Sequence, residues 1–158
     1  MPTTVAEPSK PARFEKTAKN LSEEELKLMV ESGYSQKAID LFVNNVNVGK
    51  LENPTIFTTF LGTCGDLIKL YLKIDERDRI EDATFYYLGC PGSAVSASAL
   101  TLLLKGKTVN QAKKLKEADV LAELGGLPKA KLECAKLSIK TLRKALAEYE
   151  KQKGRAEI

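Results

Sequence analysis

Leu67-Ile68-Lys69-Leu70-Tyr71-Leu72-Lys73-Ile74 alternates strictly, with Ile68, Leu70, Leu72 and Ile74 on one side and Lys69, Tyr71 and Lys73 on the other. A period of two marks a strand with one buried face. Two more strand-like runs flank it. Thr55 to Leu61 is β-branched and aromatic, and Ile80 to Leu88 alternates through Ala83, Phe85 and Tyr87. The first two runs are joined by the tight link Thr63 to Asp66, the last two by the polar connector Asp75-Glu76-Arg77-Asp78-Arg79. Links this short between consecutive strands imply an antiparallel meander.

Outside these strands the pattern is helical. Leu21-Ser22-Glu23-Glu24-Glu25-Leu26 reads as a helix start: Ser22 caps, Glu25 closes the capping box and Leu21 staples to Leu26. That helix is expected to run to Glu31 and stop at Gly33. A second helix is expected from Ser35 to about Asn44, followed by a loop through Lys50 that is rich in turn formers. Beyond the strands, helices are expected from Ser93 to Lys105, after the capping box Thr108-Val109-Asn110-Gln111, for one turn over Asp119 to Leu124, and from about Ala130 to Lys153. The fold class is therefore α+β: a small three-stranded antiparallel sheet, helices packed mainly on one face, and a long C-terminal helix.

At 158 residues the chain is one ordinary domain plus a tail, and its normal apolar content supports a core without staples. The expected organisation is a disordered tail over 1–20, an extension helix over 21–33 and the main domain over 34–153. The tail has almost no apolar residues and resembles neither a secretory signal nor an Arg-rich targeting peptide. No run reaches the length of a membrane span. An odd count of three widely spaced cysteines argues against a secreted disulfide framework, so reduced thiols in a cytoplasm are expected. The net charge of +4 comes from Lys and Glu mixed through the helices, a solvated surface rather than a nucleic-acid footprint. Histidine is absent, which removes Ser–His and Cys–His hydrolase chemistry.

The three cysteines lie where the local pattern changes type. Cys64 sits in the turn Gly62-Thr63-Cys64-Gly65-Asp66, Cys90 ends a strand within Leu88-Gly89-Cys90-Pro91-Gly92, and Cys134 falls in the first turn of the last helix. A cysteine alone is more often inert filler than a ligand. At helix starts, however, amide N–H groups and the positive helix end favour thiolate, at Cys90 and equally at Cys134, where Lys131 adds a positive charge. Asp66 is a harder ligand than thiolate and would suit a site that releases what it holds; its bland fate is a surface pairing with lysine. Three thiols and a carboxylate can hold one soft metal ion, zinc included, or one small iron–sulfur cluster.

With Cys64-Gly65-Asp66, Gly89-Cys90 and Leu127-Pro128 before Cys134 in place, the chain resembles the U-type iron–sulfur cluster assembly scaffolds, IscU and the N-terminal domain of NifU. Tyr34-Ser35-Gln36-Lys37-Ala38-Ile39-Asp40 is similar to that family's opening helix, Asn47-Val48-Gly49 to its next loop and Leu104-Lys105-Gly106-Lys107 to the end of its middle helix. The resemblance spans about Tyr34 to Tyr149. It implies a scaffold that is not a turnover enzyme, takes sulfur from a cysteine desulfurase, builds a 2Fe–2S cluster from iron and passes it to apo iron–sulfur acceptor proteins. It also implies that Cys64, Asp66, Cys90 and Cys134 are the ligands, that Cys134 is the first persulfide acceptor and that Lys131 lies beside it.

Three departures stand out. The family's histidine before the third cysteine is Glu133, which competes with Asp66 as the oxygen ligand. Pro91 looks inserted between Cys90 and the Gly-Ser-Ala helix start, which would shift that sulfur. The motif Leu-Pro-Pro-Val-Lys, read by a dedicated Hsp70-type chaperone, is degraded to Leu127-Pro128-Lys129-Ala130-Lys131. Two other functions fit the same residues: a zinc-bound subunit that accepts persulfide and delivers sulfur, for instance to tRNA thiolation, and an interaction module that has lost cluster chemistry. Membrane and direct nucleic-acid partners are not expected, and a homodimer is compatible with the sequence.

Overall fold

The computed structural model describes residues 22–157; the tail over 1–20 and Leu21 of the expected staple lie outside them. Strands β1 (Ile56–Leu61), β2 (Leu67–Ile74) and β3 (Ile80–Leu88) form one antiparallel sheet in sequence order. Leu70 stands opposite Thr58 on one side and Phe85 on the other, so the alternation of the central strand fixes the register of both neighbours. Ile68, Leu70 and Leu72 are fully buried on the core face.

The opposite face is not simply solvated. Tyr71 is 3 % exposed there, because Phe57 stacks on it at 5.8 Å and Tyr86 meets it edge-on at 6.0 Å. The Lys69 ammonium stands 5.0 Å above the Phe57 ring. Cross-strand aromatic and cation–π pairs cover this face without a second layer. Strand periodicity assigned Tyr71 to its face, but its burial depends on partners from two other strands.

Six α-helices accompany the sheet among the described residues: α1 (Glu23–Glu31), α2 (Gln36–Val43), α3 (Pro91–Leu104), α4 (Val109–Ala112), α5 (Glu117–Leu124) and α6 (Leu132–Glu157). The capping box of α1 forms as expected, the Ser22 hydroxyl accepting from Glu25 N–H at 3.1 Å and the Glu25 carboxylate from Ser22 N–H at 2.8 Å. Ser35 caps α2 by accepting from Ala38 N–H at 3.0 Å, and its hydroxyl donates to the Leu124 carbonyl, which ties α2 to α5. The loop after α2 runs along β3: Gly49 N–H donates to the Phe85 carbonyl at 2.8 Å and Phe85 N–H to the Asn47 carbonyl at 3.0 Å. This pairing covers an edge that would otherwise stay open.

Helix α3 packs on β3 and equally on α6, and α6 packs on β1 and β2. Small residues let α3 sit within the core, where Ser93, Ala94, Val95, Ala97 and Leu100 are all buried. Several ends differ from the sequence expectation. Helix α3 begins at Pro91, two residues before Ser93, because proline at the first helical position loses no hydrogen bond. Helix α5 begins at Glu117, since the Asp119 carboxylate accepts from Lys116 N–H at 2.8 Å and closes the turn before it. A 3₁₀ turn (Lys129–Lys131) precedes α6, which continues past Lys153. No helix among the described residues is long and apolar enough to cross a membrane.

Candidate functional site

The β1–β2 turn closes through Gly62 N–H to the Asp66 carbonyl at 2.8 Å and Gly65 N–H to the Gly62 carbonyl at 3.0 Å. Gly65 adopts φ +92°, a conformation glycine takes at no steric cost. The turn projects Asp66 toward the N-terminus of α3. There its Oδ2 accepts from Ser93 Oγ at 2.6 Å, Cys90 N–H at 3.3 Å and Cys90 Sγ at 3.2 Å. The carboxylate lies over Gly89, where an added Cβ would stand 2.4 Å from its Cγ. Only a glycine admits that approach.

Cys134, buried in the first turn of α6, places its Sγ 3.6 Å from Cys90 Sγ. Ligand atoms of Asp66, Cys90 and Cys134 all lie within 4.8 Å of one another, a grouping that could hold a metal ion. Pro91 fills the first helical position, and Cys90 becomes the N-cap.

Charge is distributed unevenly over these groups. Burial pushes the Asp66 carboxyl up, but hydrogen bonds from Ser93 and Cys90, joined by the Lys131 charge, outweigh it and hold it below the usual carboxylate range. The Cys90 thiol is brought down to about 6, chiefly by the hydrogen bond from Cys134, with the Ser93 backbone N–H assisting against burial and Asp66. The Cys134 thiol moves up, because it donates to Cys90 and is buried. The pair titrates as a unit, so its first proton leaves near neutrality and its second is retained. This corrects one expectation. The start of α6 does not by itself make Cys134 a thiolate, since the proton shared with Cys90 resides on it.

The remaining sequence candidates divide. Lys131 reaches the site, its Cδ 3.2 Å from where a Gly92 Cβ would stand. Cys64 is exposed in the turn and does not belong to the close group. It lines a small side pocket of about 140 Å³ together with Glu133, Lys136 and Lys140. The Glu133 carboxylate pairs with Lys136 at 3.2 Å and also stands outside the close group.

Sequence reasoning missed three site residues. Ser93 anchors Asp66 from 27 positions away, and no local signal announces that pairing. Gly92 is bare at the point where Cys134 Sγ, Lys131 and Tyr34 Oη converge. Tyr34 read only as part of a helix opening. Its phenol is raised above its ordinary range by burial first and by Cys90 and Cys134 next, which places it in the same electrostatic neighbourhood.

An exposed turn, the first turn of a buried helix and the start of a long one meet at two thiols and a carboxylate. That fold and site define an α+β protein suited to a soft metal ion or an iron–sulfur unit. Comparison with known proteins is specific. The profile described as NifU-like N terminal domain matches residues 33–156. An iron–sulfur cluster assembly scaffold protein IscU of Archaeoglobus fulgidus is 39% identical over 123 residues, 77% of this chain and 80% of that protein. The IscU scaffold protein of Azotobacter vinelandii is 37% identical over 125 residues, 77% of this chain and 97% of that one. The crystal structure of a NifU-like N-terminal protein from Brucella abortus superposes with TM-score 0.60 at 18% identity, over 78% of this chain and 98% of that one, which shows the shared fold. The chain belongs to the NifU-like N-terminal domain family.

Proposed function

We propose that this protein is a scaffold on which a 2Fe–2S cluster is assembled, with sulfur from a cysteine desulfurase, and from which it passes to apo iron–sulfur proteins. The cluster is cargo, so the protein is a carrier and not a turnover enzyme. The observation that carries this reading is the convergence of Asp66, Cys90 and Cys134 within 4.8 Å beside the exposed turn that holds Cys64. Thiolates are the usual anchors of such clusters, and Cys64 lies two residues before Asp66 in the same turn. The names of the 37–39% identical relatives support the same role.

The proton that rests on Cys134 must leave before its sulfur can attack, and Cys90 Sγ, 3.6 Å away, is the neighbouring group that can take it. The Cys134 sulfur then attacks the outer sulfur of the desulfurase persulfide. The donor S–S bond breaks, the donor cysteine leaves as thiolate, and the transferred sulfur remains on Cys134 as a persulfide anion. Sulfur moves without a change in total oxidation level, so no further oxidant is consumed. Lys131 supplies positive charge near the new anion.

Release is assigned to Asp66, whose oxygen makes the most exchangeable of the four ligand bonds. Glu133 is the competing oxygen ligand, but it begins in an ion pair with Lys136. Cluster transfer to an apo-acceptor is compared in Asp66→Ala and Glu133→Ala. Asp66→Ala is expected to load cluster and transfer it more slowly. Wild-type transfer by Asp66→Ala, together with altered transfer by Glu133→Ala, would move the role to Glu133.

A further inference from the structure

Tyr34 is 8 % exposed, and its buried hydroxyl has the Gly92 backbone N–H beside its oxygen but no acceptor for its own proton. Buried hydroxyls are nearly always paired, and an unpaired one next to a reactive site asks what it is meant to meet. Its position is tightly set. The preceding Gly33 turns the chain at φ +98°, Tyr34 N–H donates to the Met29 carbonyl at 3.1 Å, and Ser35 immediately caps α2. The backbone that carries the phenol is thus fixed on both sides.

The neighbour of the phenol is Gly92. A Cβ there would stand 2.9 Å from Cys134 Sγ, 3.2 Å from Tyr34 Oη and 3.2 Å from Lys131 Cδ. A thiol, a hydroxyl and the arm of a lysine therefore close on one bare glycine, nearer than any side chain there would allow. An open groove of about 590 Å³, lined by Met29, Tyr34, Pro91, Pro128 and Lys131 among others, leads in from solvent. Because Cys134 Sγ and Tyr34 Oη both lie so near that one point, a sulfur atom bonded to Cys134 would stand within reach of the phenol.

We propose that Tyr34 is the hydrogen-bond donor that holds the sulfur delivered to Cys134. The inference rests on the reading of Cys134 as sulfur acceptor and adds to it the group that retains the transferred atom. A persulfide anion would otherwise sit beside the Asp66 carboxylate, which repels it. A neutral donor fixed in a buried setting offsets that repulsion without adding a charge that would bind free anions. Burial, and then the negative charge at the two cysteines, keep the proton on the phenol, so Tyr34 stays a donor through the neutral range. Lys131, carried on the 3₁₀ turn, gives longer-range attraction from the groove side.

The test uses the full chain, metal-free and anaerobic, with inorganic polysulfide as the sulfur donor. Persulfide on the peptide carrying Cys134 is followed by mass spectrometry after alkylation, in wild type and Tyr34→Phe. Loss of a hydrogen bond to an anion should shorten the lifetime of that persulfide by about tenfold. The alkylation rate of Cys90 before polysulfide treatment should be equal in the two proteins, a result that a merely structural role for the hydroxyl would not give. Equal persulfide lifetimes overturn the inference while leaving Cys134 as acceptor. A wild type that carries no persulfide at Cys134 overturns the acceptor reading itself and this inference with it. A second measurement needs no variant: the tyrosine ultraviolet difference spectrum of wild type on persulfide formation. A shifted phenol band supports the donor role even if Tyr34→Phe fails to fold, and its absence overturns the role.

Discussion

Two sulfurs 3.6 Å apart and a carboxylate 3.2 Å from one of them share fewer protons than the same groups would hold separately in water. In metal-free protein, the alkylation rate at Cys90 should therefore rise with pH around a midpoint of about 6, while Cys134 remains slow through the same range. Asp66 opposes ionisation of Cys90 both as a charge and as a hydrogen-bond partner. Asp66→Ala should consequently move the midpoint below its wild-type position; an upward shift would contradict this assignment of the charges. The sequence made the residue types legible, and their placement at pattern changes singled them out. Which sulfur ionises first was not legible. It depends on a contact between residues 44 positions apart, whereas helix-end arguments see only local dipoles.

At the scale of elements, the start of α3 is the piece that assembles the site. It carries the Cys90 cap, the Ser93 hydroxyl and the bare Gly92, and it follows a glycine on which Asp66 rests. Gly89→Ala would drive a methyl into the Asp66 carboxylate, at φ +153° where L side chains are rare. Such overpacking should cost about 1–3 kcal/mol, read as a fall in the denaturation midpoint. Displacing Asp66 should also lower the Cys90 alkylation midpoint, as Asp66→Ala does. A variant with unchanged stability and midpoint would show that the close approach is not required. The strands and most helices were legible because period, caps and turn residues are local signals. The exceptions have identifiable causes: Pro91 reads as an interruption until its place as first helical residue is known, and Lys116 starts α5 only because Asp119 reaches back to it. The burial of Tyr71 required Phe57 and Tyr86 from neighbouring strands.

The whole molecule is a three-stranded sheet with α3 and α6 on one face, and the site forms where the ends of both helices reach the β1–β2 turn. The core and the site are built within residues 22–157, and Met29 of α1 belongs to that core. A chain beginning at Leu21 should accordingly keep the denaturation midpoint and zinc affinity of the full chain; loss of either would assign the first 20 residues a part in the site. The role of Tyr34 is the clearest case of a feature hidden in sequence, because an aromatic before a helix cap ordinarily means packing. The central claim, that Cys64 joins Cys90, Cys134 and Asp66 around one cluster, is tested most directly by anaerobic reconstitution with ferrous iron, cysteine, a desulfurase and dithiothreitol, the thiol reductant that brings the transferred sulfur to sulfide. Iron and acid-labile sulfide are quantified in wild type and in each of Cys64→Ser, Cys90→Ser and Cys134→Ser. The account predicts iron and sulfide in equal amounts in wild type and a sharp loss of both in every variant. Full occupancy in all three variants, or metal bound to wild type without sulfide, would contradict it.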